Sequence, residues 1–118
     1  VRYIRLRSIE LPYNARLAIS GLRVFGTKEG VALPDAVTEV QVQRLEDEMT
    51  AYLYWELVEN AQGYNVRYAI APDKLYTSYQ VYAKNEVLIT SLNRGVPYWF
   101  AVDAFNEAGI QEGVIRKL

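Results

Sequence analysis

The chain has 118 residues, 51% of them hydrophobic and 23% charged, which suits one folded domain or one domain plus a piece of another. It has no cysteine and no histidine, which excludes disulfides, thiol chemistry, the usual general base of hydrolytic triads and the usual zinc ligand. The net charge of −1 hides an asymmetry: residues 1–30 hold six Lys/Arg against two Glu, and residues 31–118 hold seven against twelve Asp/Glu.

No apolar run approaches the ~20 residues of a membrane helix. The opening residues, Val1-Arg2-Tyr3-Ile4-Arg5, lack the apolar core of a signal peptide. A chain that opens in mid-strand without methionine reads as a fragment of a longer protein. Val1 to Leu11 alternates loosely and ends at the turn signal Pro12-Tyr13-Asn14, and Leu17 to Phe25 is a second strand candidate. Together they predict a hairpin, which alone is marginal in water and must pack on something. Thr27-Lys28-Glu29-Gly30 and Pro34-Asp35 have linker composition.

From there, strand signals recur at the spacing of a sandwich. Val37–Leu45 is the first, with Val40 and Val42 on one face; a helix over Ala36–Glu48 is the competing reading, disfavoured by the alternation Val40-Gln41-Val42-Gln43. Glu46-Asp47-Glu48 is a polar turn. Ala51, Leu53 and Trp55 form the inward side of the second strand. Gly63 opens the third, with Tyr64, Val66 and Tyr68 inward. Thr77–Ala83 is the fourth, and Val87, Ile89 and Leu92 belong to the fifth. Tyr98, Phe100, Val102 and Ala104 point inward from the sixth. Asn106-Glu107-Ala108-Gly109 turns the chain into a last strand over Ile110–Leu118. The ten tyrosines and many β-branched residues agree with an all-β chain.

Leu92-x-x-Gly95-x-x-Tyr98, entering an alternating strand, has the form of a tyrosine corner, in which a tyrosine hydroxyl bonds backbone a few residues upstream. With Trp55, Tyr64-Asn65-Val66-Arg67-Tyr68 and Phe100-x-Val102-x-Ala104-x-Asn106-x-x-Gly109, residues from about 34 to 118 resemble a fibronectin type III domain. The resemblance implies an immunoglobulin-like β-sandwich of about seven strands, to which the N-terminal hairpin is extra. No Arg-Gly-Asp tripeptide is present to support integrin-type adhesion.

Arg2-Tyr3-Ile4-Arg5-Leu6 and Ala18-Ile19-Ser20-Gly21-Leu22-Arg23-Val24-Phe25-Gly26 are similar to the last two strands of a galactose-binding-like jelly roll of the discoidin, or F5/8 type C, kind. Such an edge followed by a fibronectin-like module is similar to the C-terminal accessory regions of bacterial family 43 glycoside hydrolases, the β-xylosidase or arabinofuranosidase kind. That resemblance implies a secreted or periplasmic parent acting on plant polysaccharide, with a five-bladed propeller upstream. The expected organisation is a truncated jelly-roll strand pair over 1–26, a linker over 27–35 and a fibronectin type III-like domain over 36–118.

Trp55 is expected in the core, in phase with Leu53. By alternation Trp99 and Phe105 project outward with Asp103 between them, and Arg67 falls on the same face. Exposed aromatics of this size call for an explanation: docking of the N-terminal hairpin or a neighbouring domain of the same polypeptide, sugar stacking with Arg67 and Asp103 as polar flanks, or simple surface exposure. Tyr52 and Tyr54 project outward on their strand and can pair across to Leu88.

A glycosidase needs two facing carboxylates, one with a raised pKa. Glu46, Asp47, Glu48, Glu56 and Glu59 lie in turns without an apolar setting, so no catalytic residue is expected. The acidic turn lacks calcium-loop spacing. Arg2, Arg5, Arg7, Arg16 and Arg23 lack the aromatic interleaving of a nucleic-acid face, and there is no phosphate-binding glycine loop. The expected role is a non-catalytic spacer and docking module, without cofactor, metal, nucleic acid or membrane. A carbohydrate-binding module and a protein–protein adhesion module are the alternatives.

Overall fold

The computed structural model describes residues 4–7, 21–22 and 30–118. The hairpin expected over residues 1–26 lies outside the described residues, apart from 4–7 and 21–22, which are exposed.

The described body is built from eight strand segments: β1 (Val40–Arg44), β2 (Ala51–Trp55), β3 (Gly63–Ala69), β4 (Thr77–Tyr82), β5 (Glu86–Ile89), β6 (Trp99–Asn106), β7 (Gly109–Gln111) and β8 (Arg116–Lys117). They form two antiparallel sheets. One has the order β1-β2-β5; the other runs β4-β3-β6-β7, with β8 also paired to β6. The region read against a helix, Ala36–Glu48, holds β1, where β-branched residues at alternate positions suit a pleated surface.

The two sheets bury their facing sides against each other. Ala51, Leu53 and Trp55 of β2 meet Tyr64 and Val66 of β3 and Phe100, Val102 and Ala104 of β6, all at most 2% exposed. The Trp55 and Tyr64 rings meet edge to face at 5.2 Å, and the Tyr64 hydroxyl accepts the Val58 N–H at 2.7 Å. Tyr68, expected inward, does face this side but is half-buried near the end of β3, stacked on Phe100 at 6.0 Å.

The acidic turn between β1 and β2 is held by its own aspartate. Asp47 Oδ1 accepts the N–H groups of Met49 and Thr50 at 3.0 and 2.9 Å, and Oδ2 accepts the Thr50 hydroxyl at 2.6 Å. The Thr50 hydroxyl, followed by those backbone bonds and Arg94, holds the Asp47 carboxyl below its ordinary value. The carboxylate thus serves as a turn cap.

The last strand differs from the expected continuous span over Ile110–Leu118. It is broken between β7 and β8, and Gly113 lies in the break, so close to β6 that a Cβ there would stand 1.9 Å from the Val102 carbonyl oxygen. The segment expected as linker also touches the sandwich: Asn106 Nδ2 donates to the Ala32 carbonyl at 2.7 Å, and Pro34 is buried.

Candidate functional site

The outer side of β6 is where the expected contact residues fall. Arg67, Asp103, Phe105 and Trp99 do share this face, as the β3–β6 register requires (Asn65 opposite Asp103, Arg67 opposite Ala101, Gly63 opposite Phe105, Ala69 opposite Trp99). The expectation that they are exposed is corrected by the structure. Asp103 is 3% and Phe105 2% exposed, and Trp99 is half-buried.

Three local arrangements explain this covering. Arg67 Nε and Nη2 donate to the two carboxylate oxygens of Asp103 at 2.7 and 2.9 Å, a fork-to-fork pair. Asp103 Oδ1 also accepts the Gly113 N–H at 3.0 Å, which ties the break in the last strand down onto β6. The carboxylate beside it holds the Arg67 guanidinium above its ordinary value. Phe105 lies over Gly63, where any Cβ would stand 2.6 Å from the ring, and meets the edge of Tyr82 at 5.7 Å. The Lys117 ammonium sits over Trp99, 5.0 Å from the ring centre. The face proposed for docking or sugar contact is therefore largely spent on holding β3, β6 and the last strand together.

The structural residues fall where the pattern puts them. Trp55 is 2%, Leu92 3% and Tyr98 6% exposed. The Asn93 N–H donates to the Tyr98 hydroxyl at 3.0 Å, the Leu92 N–H donates to the Met49 carbonyl at 2.9 Å, and Gly95 takes φ +68°, a region that favours glycine. The corner has a further member that the sequence reading missed. Arg44 donates to the carbonyls of Asn93, Val96 and Glu48, and its guanidinium lies 5.6 Å from the Tyr98 ring centre. Nothing local marks Arg44 as part of the corner, since its two acceptors there, Asn93 and Val96, lie 49 and 52 residues later.

Two of the exposed tyrosines, Tyr79 and Tyr82, lie at the seam between β4 and β5, end strands of the two sheets. A groove of about 640 Å³ lies there, lined by Tyr79, Val81, Tyr82 and Lys84 from the β4 side and by Tyr52, Glu86, Val87 and Leu88 from the β2–β5 side. Tyr52 stands opposite Leu88, as the alternation implies, and its hydroxyl donates to Glu86. That hydrogen bond, followed by desolvation and the charge of Glu86, raises the Tyr52 phenol above its ordinary value. Among the described residues no three His, Cys, Asp or Glu side chains gather as a metal cage.

No family model and no curated protein matches the sequence. Solved structures do. The chain is similar to the chicken CNTN1 FN1-FN3 domains at 26% identity and a TM-score of 0.63, covering 71% of this chain and 30% of that one. It is similar to an Fn3-like protein from Clostridium thermocellum at 21% identity and a TM-score of 0.63, covering 76% and 93%. The fn3 domain of human contactin 1 is similar at 24% identity and a TM-score of 0.62, covering 88% and 91%. The sheet order, the corner and these likenesses define the fold: an immunoglobulin-like sandwich of the fibronectin type III kind. Domains of this fold are generally non-catalytic.

Proposed function

We propose that the chain is a non-catalytic spacer and docking module in a longer secreted or periplasmic polypeptide. The observation that carries the spacer part of this reading is the Arg67–Asp103 fork with the Gly113 N–H behind it. It commits a charged pair of the outer β6 face to internal ties, and such ties and the packed core suit a stiff body. A sandwich of this kind separates and orients neighbouring domains of the same polypeptide. The likeness of residues 1–26 to a jelly-roll edge supports a parent of the family 43 glycoside hydrolase kind, acting on plant polysaccharide.

The test is an NMR titration with xylo- and arabino-oligosaccharides, followed at the two indole N–H signals. The spacer reading predicts that both stay fixed at millimolar sugar. A saturable shift at Trp99 would instead make the module a carbohydrate binder. The parent's identity is tested separately by its sequence before Val1, which should encode a propeller with acidic catalytic residues.

A further inference from the structure

We propose that β4 is a self-pairing edge through which two copies of the chain join into one continuous sheet. The proposal is independent of the parent's identity.

Among the described residues β4 ends its sheet and pairs with β3 alone, so its outer row of backbone N–H and C=O groups forms an edge. Folded proteins blunt such edges with charge, proline, bulges or shortness. The other end strands carry those devices: β1 ends in Arg44, β5 begins with Glu86, β7 is three residues long, and β8 is Arg116-Lys117. β4 reads Thr77-Ser78-Tyr79-Gln80-Val81-Tyr82. At six residues it is the longest of these end strands, and it holds neither charge nor proline.

Neutrality selects the occupant. In a two-fold antiparallel pair each strand faces its own sequence, so a charged residue near the axis would lie close to its copy. β4 has no charge to repel its copy, and its Thr, Tyr and Val residues suit strand pairing. Pairing would also cover rings that now face water, since Tyr79 is 55% and Tyr82 52% exposed.

The alternation fixes the symmetry. Tyr79 and Val81 share the core side with their partners Val66 and Tyr64, and Ser78, Gln80 and Tyr82 lie on the outer side. Opposed residues of an antiparallel pair lie on the same face. The two-fold axis must therefore pass through a residue position, and Tyr79 or Gln80, at the middle of β4, pairs the most of the strand. An axis between two residues would set core-side against outer side chains.

Sedimentation equilibrium of the whole chain tests this, from about ten micromolar to about one millimolar. The expected result is a monomer–dimer equilibrium that Gln80→Lys weakens by about tenfold or more, by setting two cations beside the axis. Tyr54→Lys, at a residue 47% exposed on the outer face of the central strand β2, should leave the dimer unchanged. Near-ultraviolet circular dichroism checks that each variant is folded, and Tyr79→Lys replaces Gln80→Lys if the latter is not. A monomer at every concentration overturns the proposal. So does a dimer that the β4 variants leave intact, or one that Tyr54→Lys weakens equally.

Discussion

The sandwich has two seams, and they are finished in different ways. At one, the stretch before β1 meets the last strand. There the Val114 N–H donates to the Val37 carbonyl at 3.2 Å, Arg116 donates to the Thr38 carbonyl at 3.2 Å, and the neighbouring Gly113 is tied to Asp103. At the other, between β4 and β5, a groove of about 640 Å³ stays open, walled by tyrosines. The first seam is fastened by directed bonds to backbone and by a glycine pressed onto β6. The second presents amphipathic rings that keep one side in water. The two edges of the fold thus differ in character, because local stability need not be uniform across a fold.

That contrast can be broken first at the fastened seam. Gly113→Ala places a methyl 1.9 Å from the Val102 carbonyl oxygen, which backbone must move to relieve. The expected loss is about 3 kcal/mol or more, read as a fall in the urea midpoint. Asp103→Ala leaves Arg67 and the Gly113 N–H without their acceptor. Because Arg67 keeps 22% of its side chain exposed, its loss should fall below the range for fully buried pairs, at about 2–3 kcal/mol. Amide exchange at Gly113 should quicken in the same variant.

The corner lies outside both seams and should respond less. Tyr98→Phe removes the acceptor of the Asn93 N–H and should cost about 1–2 kcal/mol in thermal or urea unfolding. An unchanged midpoint would remove the hydrogen bond from the account of the corner. The smallest effect is expected at the open seam. Glu86→Gln should bring the Tyr52 phenol back toward about 10, as followed by ultraviolet titration of the tyrosinates. The folded-state value is raised, so the stability this pair contributes is complete below the ordinary phenol value and is lost as pH rises through the raised one.

How much of this was legible in the sequence follows from distance along the chain. The inner faces of β2, β3 and β6 were readable because alternation is local, and Leu92, Gly95 and Tyr98 because a corner is made within seven residues. The direction of Trp99, Asp103 and Phe105 was readable for the same reason. Their burial was not. It depends on Arg67, which is 36 residues from Asp103, on the bare Cα of Gly63 under Phe105, and on Tyr82 and Lys117. Period two tells which face a side chain takes, and only the tertiary structure tells what covers that face. Gly113 was equally silent, since a lone glycine near a chain's end does not announce close contact with a central strand.

The contrast between the seams is tested most directly by native-state amide hydrogen exchange in dilute solution, read residue by residue by NMR. The account predicts that the Gly113 and Val114 amides exchange only with opening of the whole sandwich, while the outward amides of β4 exchange many-fold faster. Equal protection of β4 and the Gly113–Val114 tie at low concentration would contradict it.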